Sequence, residues 1–237
     1  MENTRTSPPP ERPLRWWRLA RRHPSSLLLT AQLLGVLLYP AMEDTPTGRA
    51  LFGAFGILVL SLALWVVNRS PAVNWLAWLM AVPSVLCSVL GAWLHQQGLV
   101  IFAQALESLL YFYTAAGLTA YMLGDHRVTR DELFAAGATF TLLAWGFAFA
   151  FQVCQQWSPG SFAATTGDGL HALRTWMELL FLSFSVLSGV GLSDIVPVQP
   201  PARALVMLAQ FTGVMYIALV VSRLIGLTLL RVRKDAG

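Results

Sequence analysis

The chain has 237 residues, of which 56% are hydrophobic and only 12% charged, with a mean hydropathy of +0.59. So little polar surface cannot cover a soluble globule of this size, and the chain belongs in a bilayer. The net charge of +4 does not imply nucleic acid, because the placement of the basic residues explains it as an orienting signal. Cys87 and Cys154 lie in or at the edge of apolar segments without metal-type spacing, which argues against a disulfide framework.

The first 13 residues, MENTRTSPPPERP, are proline-rich and read as disordered. LRWWRLARRHP then alternates arginine with Trp16, Trp17 and Leu19, as an interfacial helix does. A cleaved signal peptide is the rival reading. The apolar run that follows is long enough for a span and is followed by no clear small-residue cleavage site, which favours a retained first helix. Six apolar segments then have spanning length: Ser25 to Met42, Ala50 to Val67, Ala72 to Leu94, Gly98 to Leu123, Glu132 to Trp157, and Ala202 to Leu230. Leu170 to Ser188 is also apolar but carries Arg174 and Glu178, and it runs directly into the glycine-containing stretch LSGVGLSDIVP. It reads as a half-spanning helix followed by a re-entrant loop, an irregularity tolerated at membrane depth only where protein buries it or water lines it. The expected fold is an all-α membrane protein with six transmembrane helices and a re-entrant half-helix and loop between the fifth and sixth.

Twelve basic residues fall on one side of this arrangement: Arg5, Arg12, Arg15, Arg18, Arg21, Arg22, Arg69, Arg127, Arg130, Arg231, Arg233 and Lys234. Glu43, Asp44, Asp168 and Asp194 lie opposite, with Arg49 and Arg203, so both termini are expected in the cytoplasm and the re-entrant stretch opens outward. The sequon Asn68-Arg69-Ser70 then falls inside and reads as accidental. His95 and His171 fall at outer helix ends as solvated interfacial histidines. Glu107, in the fourth span, is an intramembrane carboxylate that serves either function or packing between helices, with no partner assignable from sequence. That span carries no arginine between Gly98 and Leu123, so it lacks the gating charges of a voltage sensor.

The order of outer helix, short turret after Pro159-Gly160, half-helix, glycine-containing loop, Asp-Ile-Val-Pro and long inner helix resembles the pore module of the potassium-channel superfamily. FLSFSVLSGVGLSDIVPVQPPARAL, Phe181 to Leu205, and GVMYIALVVSRLIGL, Gly213 to Leu227, carry the resemblance, which covers roughly the last hundred residues, most closely the bacterial six-span members. The first four helices match only in count and hydropathy. The resemblance implies a selectivity filter at Ser188, Gly189, Val190, Gly191, Leu192, Ser193 and Asp194. It also implies a hinge at Gly213 and a cavity lined by Val214, Ile217, Val221 and Ile225, which share a helical face. Where the family has TVGYG this chain has Gly189 to Ser193, losing a threonine hydroxyl, a supporting tyrosine and a final glycine. Ser193 is expected to meet a steric penalty at positive φ, and the outer filter to be remodelled and wider.

The domains expected are 1–24, a cytoplasmic tail with the basic Trp segment; 25–125, a non-voltage-sensing four-helix scaffold; 126–231, the pore domain; and 232–237, a short cytoplasmic tail without a ligand-binding domain. One pore module per chain requires four copies to close a ring. The function implied is the pore-forming subunit of a homotetrameric cation channel with altered selectivity in the cell membrane. Its permeant ions would be potassium and also sodium, with no cofactor, no resident metal, and membrane lipids as its other partners. A non-conducting channel-fold scaffold is the alternative. The motifs of intramembrane proteolysis and zinc hydrolysis, GxSG with a membrane histidine, paired intramembrane aspartates and HExxH, are missing, so no enzyme is expected.

Overall fold

A computed structural model describes residues 24–43, 74–124, 130–165 and 173–235, with scattered helical positions between 55 and 65. The basic Trp segment, most of the second predicted span, His171 and the sequon lie outside the described residues. Among the described residues, six helices and two short strands have defined bounds, in order: α1 (Pro24–Glu43), α2 (Asn74–Leu94), α3 (Gln97–Gly124), α4 (Arg130–Trp157), β1 (Phe162–Ala164), α5 (Trp176–Leu187), β2 (Ile195–Pro197) and α6 (Pro200–Asp235). Among the described residues, four helices are long and apolar enough to cross a membrane, over Trp75–Leu94, Gln97–Gly124, Asp131–Trp157 and Pro200–Arg223.

Helix α4 is the hub, with α1, α3, α5 and α6 all packed on it. It reads as apolar around its whole circumference, and residues 141–148 are buried without a break, as expected of a central helix. Small residues let its neighbours come close. Ser108 of α3 donates to the Gly146 carbonyl of α4 at 2.9 Å, and the Phe112 ring lies where a side chain at 146 would stand. Thr141 donates to Gln32 of α1 at 2.6 Å, and Ser25 donates to Asp131 at 3.1 Å. Asp131 and Glu132 sit in the first turn of α4, where carboxylates favour the helix macrodipole.

Helix α2 turns tightly into α3 at His95, the one non-glycine residue at positive φ among those described (52°), with Gln96 N–H bonded to the Gly91 carbonyl at 3.0 Å. Glu107 has a partner in the structure: the Ser84 hydroxyl of α2 donates to it at 3.2 Å. Cys87 and Cys154 are both free thiols.

Two predicted boundaries move. The half-helix starts at Trp176, well after Leu170, because Thr175 caps it. The Thr175 hydroxyl accepts the Glu178 N–H at 3.3 Å and the Glu178 carboxylate accepts the Thr175 N–H at 2.6 Å, a reciprocal box that ends the helix there. Arg174 therefore precedes α5, and its guanidinium reaches Glu178 at 3.8 Å. At the other end of the chain α6 continues past Leu230 to Asp235.

Candidate functional site

The site begins where α5 is anchored. Gln155, buried near the end of α4, donates its amide to the Arg174 carbonyl and accepts the Arg174 N–H, each at 2.9 Å. Trp176, the first residue of α5, packs among Tyr39, Trp145 and Phe149, with ring centroids at 5.4, 5.2 and 6.0 Å. Midway along, Ser183 donates to the Ala144 carbonyl at 2.8 Å. A 12-residue apolar helix is thus held at its start and along its length against α4.

Its end directs the glycine-containing loop. Gly189 N–H donates to the Val186 carbonyl at 3.3 Å and Gly191 N–H to the Ser185 carbonyl at 3.2 Å, so these amides face α5. Gly189 and Gly191 both have positive φ, 74° and 69°. No atom comes within 4 Å of a side chain placed on either. Backbone conformation, and not space, is what demands glycine there. Val190 and Leu192, on the loop between and beyond them, are each 70% exposed in the single chain. The Ser185 hydroxyl, buried behind the loop, has no hydrogen-bond partner among the described residues.

Ser193 departs from the expectation made for it. It does not take positive φ. The chain avoids the steric penalty by leaving the left-handed region, and the Ser193 hydroxyl instead accepts the Ile195 N–H at 3.1 Å, a turn that a glycine could not make. Asp194 is exposed, and its carbonyl accepts both the Thr165 N–H at 2.7 Å and the Thr165 hydroxyl at 3.1 Å. From there β1 and β2 pair antiparallel, Ala164 opposite Ile195 and Phe162 opposite Pro197. Gln199 ties the turn before β1, accepting from Ser158 and donating to the Pro159 carbonyl at 2.9 Å. Between the flank of α5 and the loop lies an open cavity of about 730 Å³, bordered by Thr175, Glu178, Phe181, Leu192 and Asp194.

Helix α6 lies directly against the end of α5. A Cβ on Gly213 would stand 2.0 Å from the Leu187 carbonyl oxygen and 2.6 Å from the Leu187 Cα. The buried face of α6 includes Ala202, Val206, Ala209, Gly213 and Tyr216, while Val214, Ile217, Val221 and Ile225 share an exposed face. Further along, the Tyr216 hydroxyl donates to the Ala136 carbonyl at 2.6 Å, and Arg223 meets Glu132 at 3.4 Å with both side chains largely buried.

The structure therefore brings Ser188 to Asp194 together as one loop stacked between α5 and the start of β2, and sets Gly213 beneath it. Among the described residues no three His, Cys, Asp or Glu side chains gather into a metal site. The oxygen atoms this region offers are backbone carbonyls, hydroxyls and the carboxylates of Asp194 and Glu178. Sequence reading missed Gln155, Thr165 and the cap at Thr175. The cap had a signal, Thr-x-x-Glu ahead of an apolar run, whereas Gln155 and Thr165 act through contacts far along the chain.

Residues 137–228, from α4 through α6, match the family described as Ion channel. No curated protein and no solved structure matches the chain at a significant level. The matched stretch contains α5, the loop and most of both flanking helices, the same residues that carry the resemblance to the pore module of the potassium-channel superfamily.

Proposed function

We propose that the chain is the pore-forming subunit of a homotetrameric cation channel in the cell membrane, six-spanning, with both termini cytoplasmic and α5 and its loop re-entrant from outside. In this reading Ser188 to Asp194 form the filter, and Val214, Ile217, Val221 and Ile225 line the cavity. A bare cation in a low-dielectric region costs roughly tens of kcal/mol, so a narrow pore must replace its water with fixed oxygens, which potassium-channel filters supply as rings of carbonyls from four chains. The observation that carries the reading is the pair of positive-φ glycines two residues apart, both with their amides turned to α5. The bare Val190 and Leu192 side chains of the single chain fit a loop whose neighbours are copies of itself. The loss of the left-handed conformation at Ser193 favours altered selectivity, with sodium passing beside potassium. It is also the observation that favours the alternative of a non-conducting scaffold.

The test is a bi-ionic reversal potential on the reconstituted protein, with the variant Gly189→Thr/Leu192→Tyr/Ser193→Gly beside the wild type. The triple variant is expected to move the potential toward the potassium equilibrium value, and single changes to do less, because neighbouring sites in contact are not additive. Gly189→Thr alone is expected to harm, since a β-branched residue is strained at the φ of 74° found there. A wild type already as selective as the triple variant overturns altered selectivity. Tetramers without current support the scaffold reading.

Asp194 offers a cleaner test of charge. Its structural hydrogen bonds run through its backbone carbonyl, which asparagine keeps. Asp194→Asn is therefore expected to lower cation conductance more at low ionic strength than at high, because the field of an acidic ring is screened by salt. Equal losses at both would mean that the carboxylate acts structurally.

A further inference from the structure

Adjacent residues on a helix point about 100° apart, and Gln155 and Gln156 of α4 use this to hold two different elements. Gln155 is 3% exposed and spends both ends of its amide on the backbone of Arg174. Gln156 donates to Gln104 of α3 at 2.6 Å. A buried amide is unfavourable unless its hydrogen bonds are made, so an apolar residue would fill the position of Gln155 more simply if filling were all that it did. The two-ended pairing instead fixes both the place and the direction of the chain one residue before the cap of α5. From that cap α5 runs 12 residues to Leu187, and the carbonyls of Ser185 and Val186 near its end hold the amides of Gly191 and Gly189. A shift or tilt at the start of α5 is carried to the loop by a single rigid helix. The helices of the scaffold meet the pore domain at this same point, α3 through Gln104 and α1 through Tyr39, whose ring packs tilted against Trp176. Helix α6, in contrast, packs mainly on α4 and α5.

We propose that Gln155 is a positioning residue for the filter, and that the Gln156–Gln104 bond joins the fourth span to it, so that the scaffold adjusts the filter through the start of the pore helix. The inference rests on the reading of the loop as a filter, and deepens it by naming where regulation enters.

The experiment uses the full chain in liposomes, as wild type, Gln155→Leu, Gln155→Glu and Gln104→Leu, with two readouts. Amide hydrogen exchange over residues 174–179 needs no current, and the potassium-to-sodium permeability ratio reads the filter. Gln155→Leu, which removes both hydrogen bonds, is expected to speed exchange there by at least about fivefold, the weight of a single neutral hydrogen bond, and to change the permeability ratio. Gln155→Glu, which keeps the acceptor for the Arg174 N–H, is expected to fall between. It serves as the deciding variant if the leucine variant does not assemble. Gln104→Leu, which does not touch α5, is expected to move both readouts in the same direction by less. Unchanged exchange in tetrameric Gln155→Leu overturns the clamp. Faster exchange with an unchanged permeability ratio makes Gln155 merely structural, and a silent Gln104→Leu overturns the link to the scaffold. A wild type that passes no current defeats the filter reading, while the exchange measurements still judge the clamp.

Discussion

Replacing Gly213 with alanine is expected to force α6 away from the end of α5. The added methyl would stand 2.0 Å from the Leu187 carbonyl oxygen and 2.6 Å from the Leu187 carbonyl carbon. Both are backbone atoms at the end of a helix anchored on α4, so no side chain can swing aside to make room. The sequence leads one to expect a hinge glycine, whose loss of backbone freedom is worth roughly 1 kcal/mol. The structure makes it a contact glycine, and the change belongs at the upper end of the roughly 1–3 kcal/mol of overpacking. Gly226→Ala is the control. It lies on the same helix with nothing within 4 Å of its added methyl. Thermal unfolding of the purified protein should separate the two variants, and single-channel recording should show open probability altered in the first alone. Equal behaviour of the two would mean that α6 does not lie against Leu187 in the working channel.

Gly191→Ala is expected to abolish selective conduction for a different reason. There is room for the methyl, since nothing lies within 4 Å, but φ at Gly191 is 69°, where an L-residue loses roughly 1–2 kcal/mol. In the tetramer proposed above, that penalty is incurred once in each of four chains. The backbone relieves it by rotating the peptide at 191, which turns its carbonyl and breaks the Gly191 N–H bond to Ser185. Gly98→Ala, equally free of neighbours and without positive φ, should leave conductance untouched. A Gly191→Ala channel with wild-type conductance and reversal potential would remove the loop from the ion path.

The contrast between Gly191 and Ser193 shows what hydropathy and motif could reach. Two of the spans bounded by turns and charges were legible to within two residues, Gly98 to Leu123 against Gln97–Gly124 and Glu132 to Trp157 against Arg130–Trp157, whereas Ala202 to Leu230 became Pro200–Asp235. The loop itself was legible as a motif. The conformation of each of its residues was not, because a residue type says which φ is permitted and not which the chain adopts. Ser193 escaped the expected strain through a local hydrogen bond to Ile195. β1 and β2 have three residues each, too few for any periodicity, and exist only because residues some thirty apart pair. The start of α5 was misjudged for a similar reason. Apolar composition continues back to Leu170, but the capping box at the extended Thr175 stops the helix, and Gln155 holds the backbone of Arg174 before it.

Below Gly213 the long helices α4 and α6 are fastened to each other at two heights, Tyr216 to Ala136 and Arg223 to Glu132. This makes them a linkage with no free joint. If the C-terminal half of α6 swings, either the buried ion pair parts or α4 travels with it. Since α1 and α3 are packed on α4, the second course moves most of the subunit. A large motion of α6 below Gly213 therefore costs either that ion pair or a displacement of the helices packed on α4.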